Sequence, residues 1–258
     1  MINWDINKST EENYLTCCKE AFENEEIFNN FKQDSRYTPI LEHVSYENGI
    51  SLIEEMKNYK NILTKETVTK VKENDLYGNS TRFNYENFGS ISPSTVRYIK
   101  NSLDILNKFS DKSYNNVVEI GGGYGGLCKV LHDFIPIKNY TIIDLYEPTL
   151  LAQKYLNLFN IKVSTRIPTD ELTYLSNEID LLISNYAFSE LTISLQKNYI
   201  EKVISKTKKF YIIYNNISNT NLNYENFILF MNAKIPSMKI EVETDYQNNK
   251  ILYGYINE

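Results

Sequence analysis

Residues 117 to 126 read Val-Val-Glu-Ile-Gly-Gly-Gly-Tyr-Gly-Gly, and apolar periodicity resumes at once from Leu127 to Phe134. A short apolar run that breaks into glycines and re-emerges with helical spacing predicts a strand turning tightly into a helix. Gly121, Gly123 and Gly125 let the backbone turn and approach a ligand with no Cβ in the way, and the helix start places amide groups around an anionic or zwitterionic group. Few folds use such a turn, and most of them are α/β sheets.

The rest of the chain fits that class. From Asn115 onward, apolar runs at 117–120, 140–144, 161–165, 179–184 and 210–214 alternate with helical stretches, as parallel strands covered on both faces do. Two further runs, 238–244 and 250–256, are separated only by Asp245-Tyr246-Gln247-Asn248-Asn249. No crossover helix fits in so short a loop, so this pair is expected to be an antiparallel hairpin. The expected fold is α/β: a Rossmann-like seven-stranded sheet with a C-terminal antiparallel hairpin, preceded by an α-helical N-terminal cap.

The first hundred residues carry helical periods and no convincing strand. Ser9 with Glu12 fits a capping box before a helix reaching about Phe22, and Ile50, Ile53 and Met56 mark a second stripe. Residues 73 to 91 read as a loop. Ser92-Pro93 is a helix start whose buried face is Val96, Ile99, Leu103 and Leu106. The expected domains are therefore a helical cap or substrate region over 1–110 and a cofactor-binding domain over 111–258.

Composition narrows the function. The net charge is −6, and the four arginines, Arg36, Arg82, Arg97 and Arg166, are scattered. Nucleic-acid binders need a basic face, so a small-molecule acceptor is expected and nucleic acid is not. No apolar run approaches the ~20 residues of a membrane span, and the start lacks a signal-peptide pattern, so a cytoplasmic protein without a membrane partner is expected. Adjacent Cys17 and Cys18 with a distant Cys128 form neither a disulfide framework nor a zinc spacing. The oligomeric state is not legible.

Glu119 before the glycines and Asp144 at the end of the next strand complete the cofactor pattern, because an acidic residue there can accept hydrogen bonds from both ribose hydroxyls of an adenosyl group. Gly121, Gly123 and Gly126 also satisfy G-x-G-x-x-G, so a dinucleotide site, and with it an NAD-dependent oxidoreductase, competes. Against it stand the position of Glu119, the lateness of the turn in the chain and the reversed final strands. S-adenosyl-L-methionine is the expected cofactor. A glycine turn with no ligand, in a non-catalytic binding domain, is the remaining alternative.

Several blocks carry a family resemblance. Phe88-Gly89-Ser90-Ile91-Ser92-Pro93-Ser94-Thr95-Val96-Arg97-Tyr98-Ile99-Lys100, Val118 to Gly126, Ile143-Asp144-Leu145 and Ile183-Ser184-Asn185-Tyr186-Ala187-Phe188-Ser189-Glu190, with Ile40-Leu41-Glu42-His43-Val44-Ser45 upstream, resemble a bacterial family of sugar O-methyltransferases. The resemblance spans about residues 75 to 191 and is only general beyond. It implies transfer of a methyl group from S-adenosylmethionine to a hydroxyl of a sugar or nucleotide sugar. Another small polar metabolite, methylated at nitrogen or oxygen, is the alternative acceptor.

The cofactor-site candidates are Glu119, Gly121, Gly122, Gly123, Tyr124, Gly125, Asp144, Leu145, Asn185, Tyr186 and Arg97. Arg97 offers a bidentate fork to the cofactor carboxylate or to a phosphate, against a surface ion pair. Asn185 is expected near the methionyl group, and Tyr98 and Tyr124 are candidates to stack on adenine or sugar. His43 and Glu190 are the catalytic candidates. A histidine suits a base near pH 7, and Glu190, expected at the start of the helix after the fourth strand, reads as base, acceptor ligand or first-turn carboxylate. Tyr77, Gly78 and Asn79 are expected to help close the site, and His132 reads as a surface or packing residue. No metal site is expected.

Overall fold

The computed structural model describes residues 8–59, 62–168, 175, 178–215 and 222–256. The N-terminal elements are α1 (Lys8–Glu23), α2 (Glu25–Phe28), α3 (Tyr46–Glu55), α4 (Lys65–Val71), a small hairpin of β1 (Phe83–Tyr85) and β2 (Gly89–Ile91), and α5 (Pro93–Phe109). There follow β3 (Tyr114–Ile120), α6 (Gly126–Phe134), β4 (Ile137–Ile143), α7 (Tyr146–Asn157), β5 (Ser164–Arg166) and β6 (Ile179–Asn185). The chain continues through α8 (Ala187–Glu190), α9 (Ile193–Lys202), β7 (Thr207–Tyr214), α10 (Tyr224–Lys234), β8 (Met238–Thr244) and β9 (Lys250–Ile256).

The seven-stranded sheet has the order β5-β4-β3-β6-β7-β9-β8. Pairings from β5 to β7 are parallel, whereas β9 runs antiparallel to both β7 and β8. This is the Rossmann-like sheet with a terminal hairpin that the spacing predicts. Side chains divide by strand parity: Leu181, Ile183, Tyr211 and Ile213 enter one core, and Leu182, Phe210, Ile212 and Tyr214 the other. Both faces are covered, which is why the strands read as unbroken apolar runs. The first core also takes Tyr14, Cys17 and Cys18 of α1, so the N-terminal helices share it with the sheet.

Four details differ from the sequence expectations. β5 is Ser164–Arg166 rather than 161–165. Residues 73–91 are not a plain loop: Lys72–Asp75 forms a 3-10 turn, and β1 and β2 pair through Phe83↔Ile91 to Tyr85↔Gly89. Three-residue strands burying only Tyr85 and Ile91 leave no alternation to read. Of the expected stripe, Met56, in the 3-10 turn after α3, is buried and Ile53 packs on the core, while Ile50 is exposed and Leu52 is buried instead. Ser9 lies one residue inside α1, and its side chain is outside the described set.

The helix α5 starts as its sequence dictates, with Ser92 capping the Thr95 amide and Pro93 in the first turn. Every residue from Pro93 to Ile105 is buried, so its polar groups need internal partners. Asp75 is one of them. Its carboxylate accepts from the Ser92 amide (2.6 Å), the Ser92 hydroxyl (2.7 Å) and the Thr95 hydroxyl (2.7 Å). Removing it leaves the buried Ser92 amide and the Thr95 hydroxyl without this acceptor, while the Ser92 hydroxyl keeps only Thr95 Oγ1 at 3.0 Å, and Asp75→Ala is expected to destabilise the chain by about 2–4 kcal/mol in denaturant unfolding. A loss under about 0.5 kcal/mol would contradict this account of how the segment before α5 is anchored.

Candidate active site at the carboxyl edge of the sheet

Between β3 and β6 the strand order reverses direction, and α/β sheets bind ligands outside the carboxyl ends of the strands at such a point. A cleft of about 540 Å³ opens there. Its floor is the end of β3 and the glycine turn. One wall comes from Asp144 and Leu145 after β4, another from Asn185 and Tyr186 after β6, and the N-terminal segment Pro39–His43 and Arg97 of α5 roof it.

The glycine turn is held by its neighbours. Gly121 donates to the Ile143 carbonyl (2.9 Å) and has φ +76°, and a Cβ built on it would lie 2.1 Å from the Ala187 Cβ. The turn and α8 therefore touch with no room for a methyl group. Gly123 has φ +54°, and Leu41 presses on it from the roof, 2.5 Å from where a Cβ would stand.

Asp144 accepts from the Gly123 amide through one oxygen (2.8 Å) and from its neighbour Leu145 through the other (2.7 Å). Burial pushes its pKa up to about 6. Each oxygen has used one acceptor site and retains another, which is what a vicinal diol requires. Glu119 is 2% exposed and accepts from the Tyr140 hydroxyl (2.8 Å). Burial, with Asp144 nearby, raises its pKa to about 7.

Arg97 is only 8% exposed, yet it makes no ion pair among the described residues. Its guanidinium donates to the Leu41 carbonyl (3.2 Å) and lies 5.8 Å from the ring centres of Tyr98 and Tyr186. The surface ion pair weighed in the sequence is not found. Glu42 attracts it only from beyond ion-pair contact, and a buried cation that faces the cleft with no carboxylate touching it favours an anionic ligand. Asn185 supplies the complement: its Oδ1 is buried with no hydrogen-bond partner among the described residues. Next to it, Tyr186 takes φ +69° with ψ −43°, strained for an aromatic residue, and its amide is held by the Ile213 carbonyl (2.9 Å).

The cleft thus gathers His43, Arg97, Glu119, Gly121, Gly122, Gly123, Asp144, Leu145, Asn185, Tyr186 and Glu190 of the sequence candidates. It does not gather Tyr124 and Gly125. Tyr124 is 1% exposed and packs edge-on against Phe31, Tyr98 and Tyr155, with the Lys32 ammonium 4.4 Å from its ring centre; it belongs to the core. Gly125, at φ +86°, opens α6 and abuts Leu156. Tyr77 packs on Phe28, Tyr155 and Phe159 and is not in the cleft lining, nor are Gly78 and Asn79. His132 is a packing residue, with Nδ1 2.7 Å from the Cys128 carbonyl. Glu190 lies in the single turn of α8, the helix that follows β6, and is exposed at the cleft edge.

Sequence reasoning missed Tyr14, Tyr199, Asn215, Gln247 and Asn249, which also line the cleft. The last two sit on the β8–β9 loop, where the Asp245 carboxylate accepts from the Gln247 amide (2.8 Å) and the Asn249 amide (2.9 Å). An Asx-type turn at Asp245 was the one available signal. Among the described residues, no three His, Cys, Asp or Glu side chains converge as a metal site, and no helix is long and apolar enough to cross a membrane.

No protein-family model matches the sequence, and no curated protein matches it. Among solved structures it is similar to a SAM dependent methyltransferase from Aquifex aeolicus, with 16% identity, a TM-score of 0.44, and coverage of 60% of this chain and 89% of that one. It is similar to a ribosomal protein L11 methylase from Lactobacillus delbrueckii subsp. bulgaricus, at 14% identity, TM-score 0.45, and 63% and 80% of the two chains. M. capricolum TrmK, solved with S-adenosyl-homocysteine, gives 14% identity, TM-score 0.45, and 62% and 67%. At these values the likenesses decide neither cofactor, acceptor nor catalytic residue.

Proposed function

We propose that this chain is an S-adenosylmethionine-dependent O-methyltransferase acting on a hydroxyl of a sugar or sugar nucleotide, with residues 1–110 covering the acceptor. The observation that carries the reading is one cleft with three unmet demands. Asp144 retains one acceptor site on each oxygen, and among the described residues Arg97 is in ion-pair contact with no carboxylate and Asn185 Oδ1 has no donor. A ribose diol, a carboxylate and an ammonium meet them in turn, and S-adenosylmethionine carries all three. The glycine turn supplies the backbone cradle between them.

The sulfonium methyl group is already activated, so alignment does most of the work, and positioning of this kind contributes roughly 7–11 kcal/mol. Leu41 and Ala187 close on the glycine turn and fix its height relative to the roof and to α8. His43 stands at the rim. Partial burial, and then the charge of Arg97, hold its pKa below the usual 6.5, so near neutral pH its imidazole is free to take the acceptor proton. Glu190, with Gln247 and Asn249 beside the same cleft, offers the hydrogen-bonding groups a polyhydroxylated acceptor needs.

Radiolabelled methyl transfer to a panel of nucleotide sugars tests the reading. Transfer is expected to at least one member, and binding of S-adenosylhomocysteine with no transfer to any sugar or nucleotide sugar would overturn the acceptor assignment. His43→Ala is expected to lower kcat by about 10²–10⁴ with cofactor affinity preserved. In the unmodified chain the acid limb of the rate profile should fall below pH 6.5, because the base works only unprotonated and its pKa is depressed. An unaltered kcat in the variant would remove His43 from the chemistry.

A further inference from the structure

Glu190 is exposed, on a helix of one turn, where a glutamate side chain is ordinarily free to sample many rotamers. Here it is not free. Asn215, at the end of β7 and 6% exposed, donates from Nδ2 to Glu190 Oε1 (2.9 Å). The rest of Asn215 is locked to the preceding residue: its amide donates to Ser189 Oγ (3.1 Å), and its Oδ1 lies 2.8 Å from the same hydroxyl. Ser189 Oγ also stands 2.6 Å from the Tyr186 carbonyl, and the Ser189 amide donates to that carbonyl (2.9 Å). The carboxamide therefore spans from β7 to α8 and ends on one oxygen of Glu190.

We infer that Asn215 is a positioning residue for Glu190, fixing the carboxylate toward the acceptor side of the cleft; the inference rests on the reading of Glu190 as an acceptor-side group. Asn215 lines the same cleft. A buried amide whose remaining polar atoms face Ser189 cannot swing away from Glu190 without breaking those contacts, so the donor is preorganised and the carboxylate loses rotamer freedom before the acceptor arrives. Glu190 keeps its second oxygen, and the unused lone pair of the first, for acceptor hydroxyls.

Asn215→Asp is the sharper test, because the isosteric side chain keeps an oxygen toward Ser189 and replaces the donor with a second carboxylate oxygen beside Glu190, a repulsive contact. With the nucleotide sugar methylated in the panel as substrate, the acceptor kcat/KM is expected to fall at least tenfold, mainly through KM. S-adenosylhomocysteine affinity by calorimetry should stay within twofold. Asn215→Ala should do the same in the unmodified background and add less than twofold to Glu190→Ala, since a residue acting through Glu190 has nothing left to position. Equal losses in both backgrounds would make Asn215 a fold residue and overturn the inference, as would unchanged kinetics or a parallel loss of S-adenosylhomocysteine affinity. An unmodified chain that transfers no methyl group would instead remove the proposed function, and this inference with it, so the two failures appear in different proteins.

Discussion

Asp144→Ala is expected to weaken S-adenosylhomocysteine binding at least tenfold, and by about a hundredfold where both ribose hydroxyls depend on it. A hydrogen bond to a charged acceptor contributes roughly 1.5–3 kcal/mol, and each tenfold in affinity is about 1.4 kcal/mol. The substitution also frees the Gly123 amide that the carboxylate now holds at 2.8 Å, so the cradle loosens as its ligand is lost. The pH dependence carries a second, independent mark. Burial raises the Asp144 pKa to about 6, and two hydroxyls can both donate only to the ionised form. Affinity in the unmodified chain should therefore fall as the pH drops through about 6, and the alanine variant should lose that dependence. Unchanged affinity in calorimetry would reject Asp144 as the ribose ligand.

Gly121→Ala should be more severe. At φ +76° an L side chain costs about 1–2 kcal/mol, and the added methyl group would stand 2.1 Å from the Ala187 Cβ, which has no rotamer by which to retreat. Either the glycine turn lifts or α8 withdraws, and each displaces Asn185 and Tyr186 from the cleft. The thermal midpoint is expected to drop by about 5–10 °C and S-adenosylhomocysteine binding to become undetectable at concentrations that saturate the unmodified chain. Adding Ala187→Gly should restore part of the loss, since it removes the clash and leaves only the backbone strain. A Gly121→Ala chain with unaltered midpoint and affinity would contradict the close contact on which the site geometry depends.

The parallel strands β3, β4, β6 and β7 were legible because burial on both faces writes them as apolar runs, whereas the edge strand β5, Ser164-Thr165-Arg166 with no buried residue, was misplaced; the terminal hairpin was legible because Asp245 to Asn249 is too short for a crossover. The β1–β2 hairpin was not, since two three-residue strands with one buried side chain each have no period. Within the site, glycines and carboxylates near the strand ends were legible because backbone conformation and diol recognition demand those residue types at fixed offsets. Tyr124 misled for a physical reason: an aromatic residue after a glycine turn can stack on a ligand or fill the space beneath it, and here the rings of Phe31 and Tyr155 and the ammonium of Lys32 claim it. Asn215, Gln247 and Asn249 come from the far end of the chain, and an isolated carboxamide in an asparagine-rich sequence announces nothing until the sheet order brings it to the cleft.

Calorimetric titration of the unmodified chain with S-adenosylhomocysteine, with NAD titrated in parallel, bears most directly on the central claim. One-to-one binding of S-adenosylhomocysteine, and no heat with NAD, is the predicted result. Binding of NAD with S-adenosylhomocysteine silent would contradict it, and would turn the same glycine turn and Asp144 into a dinucleotide site.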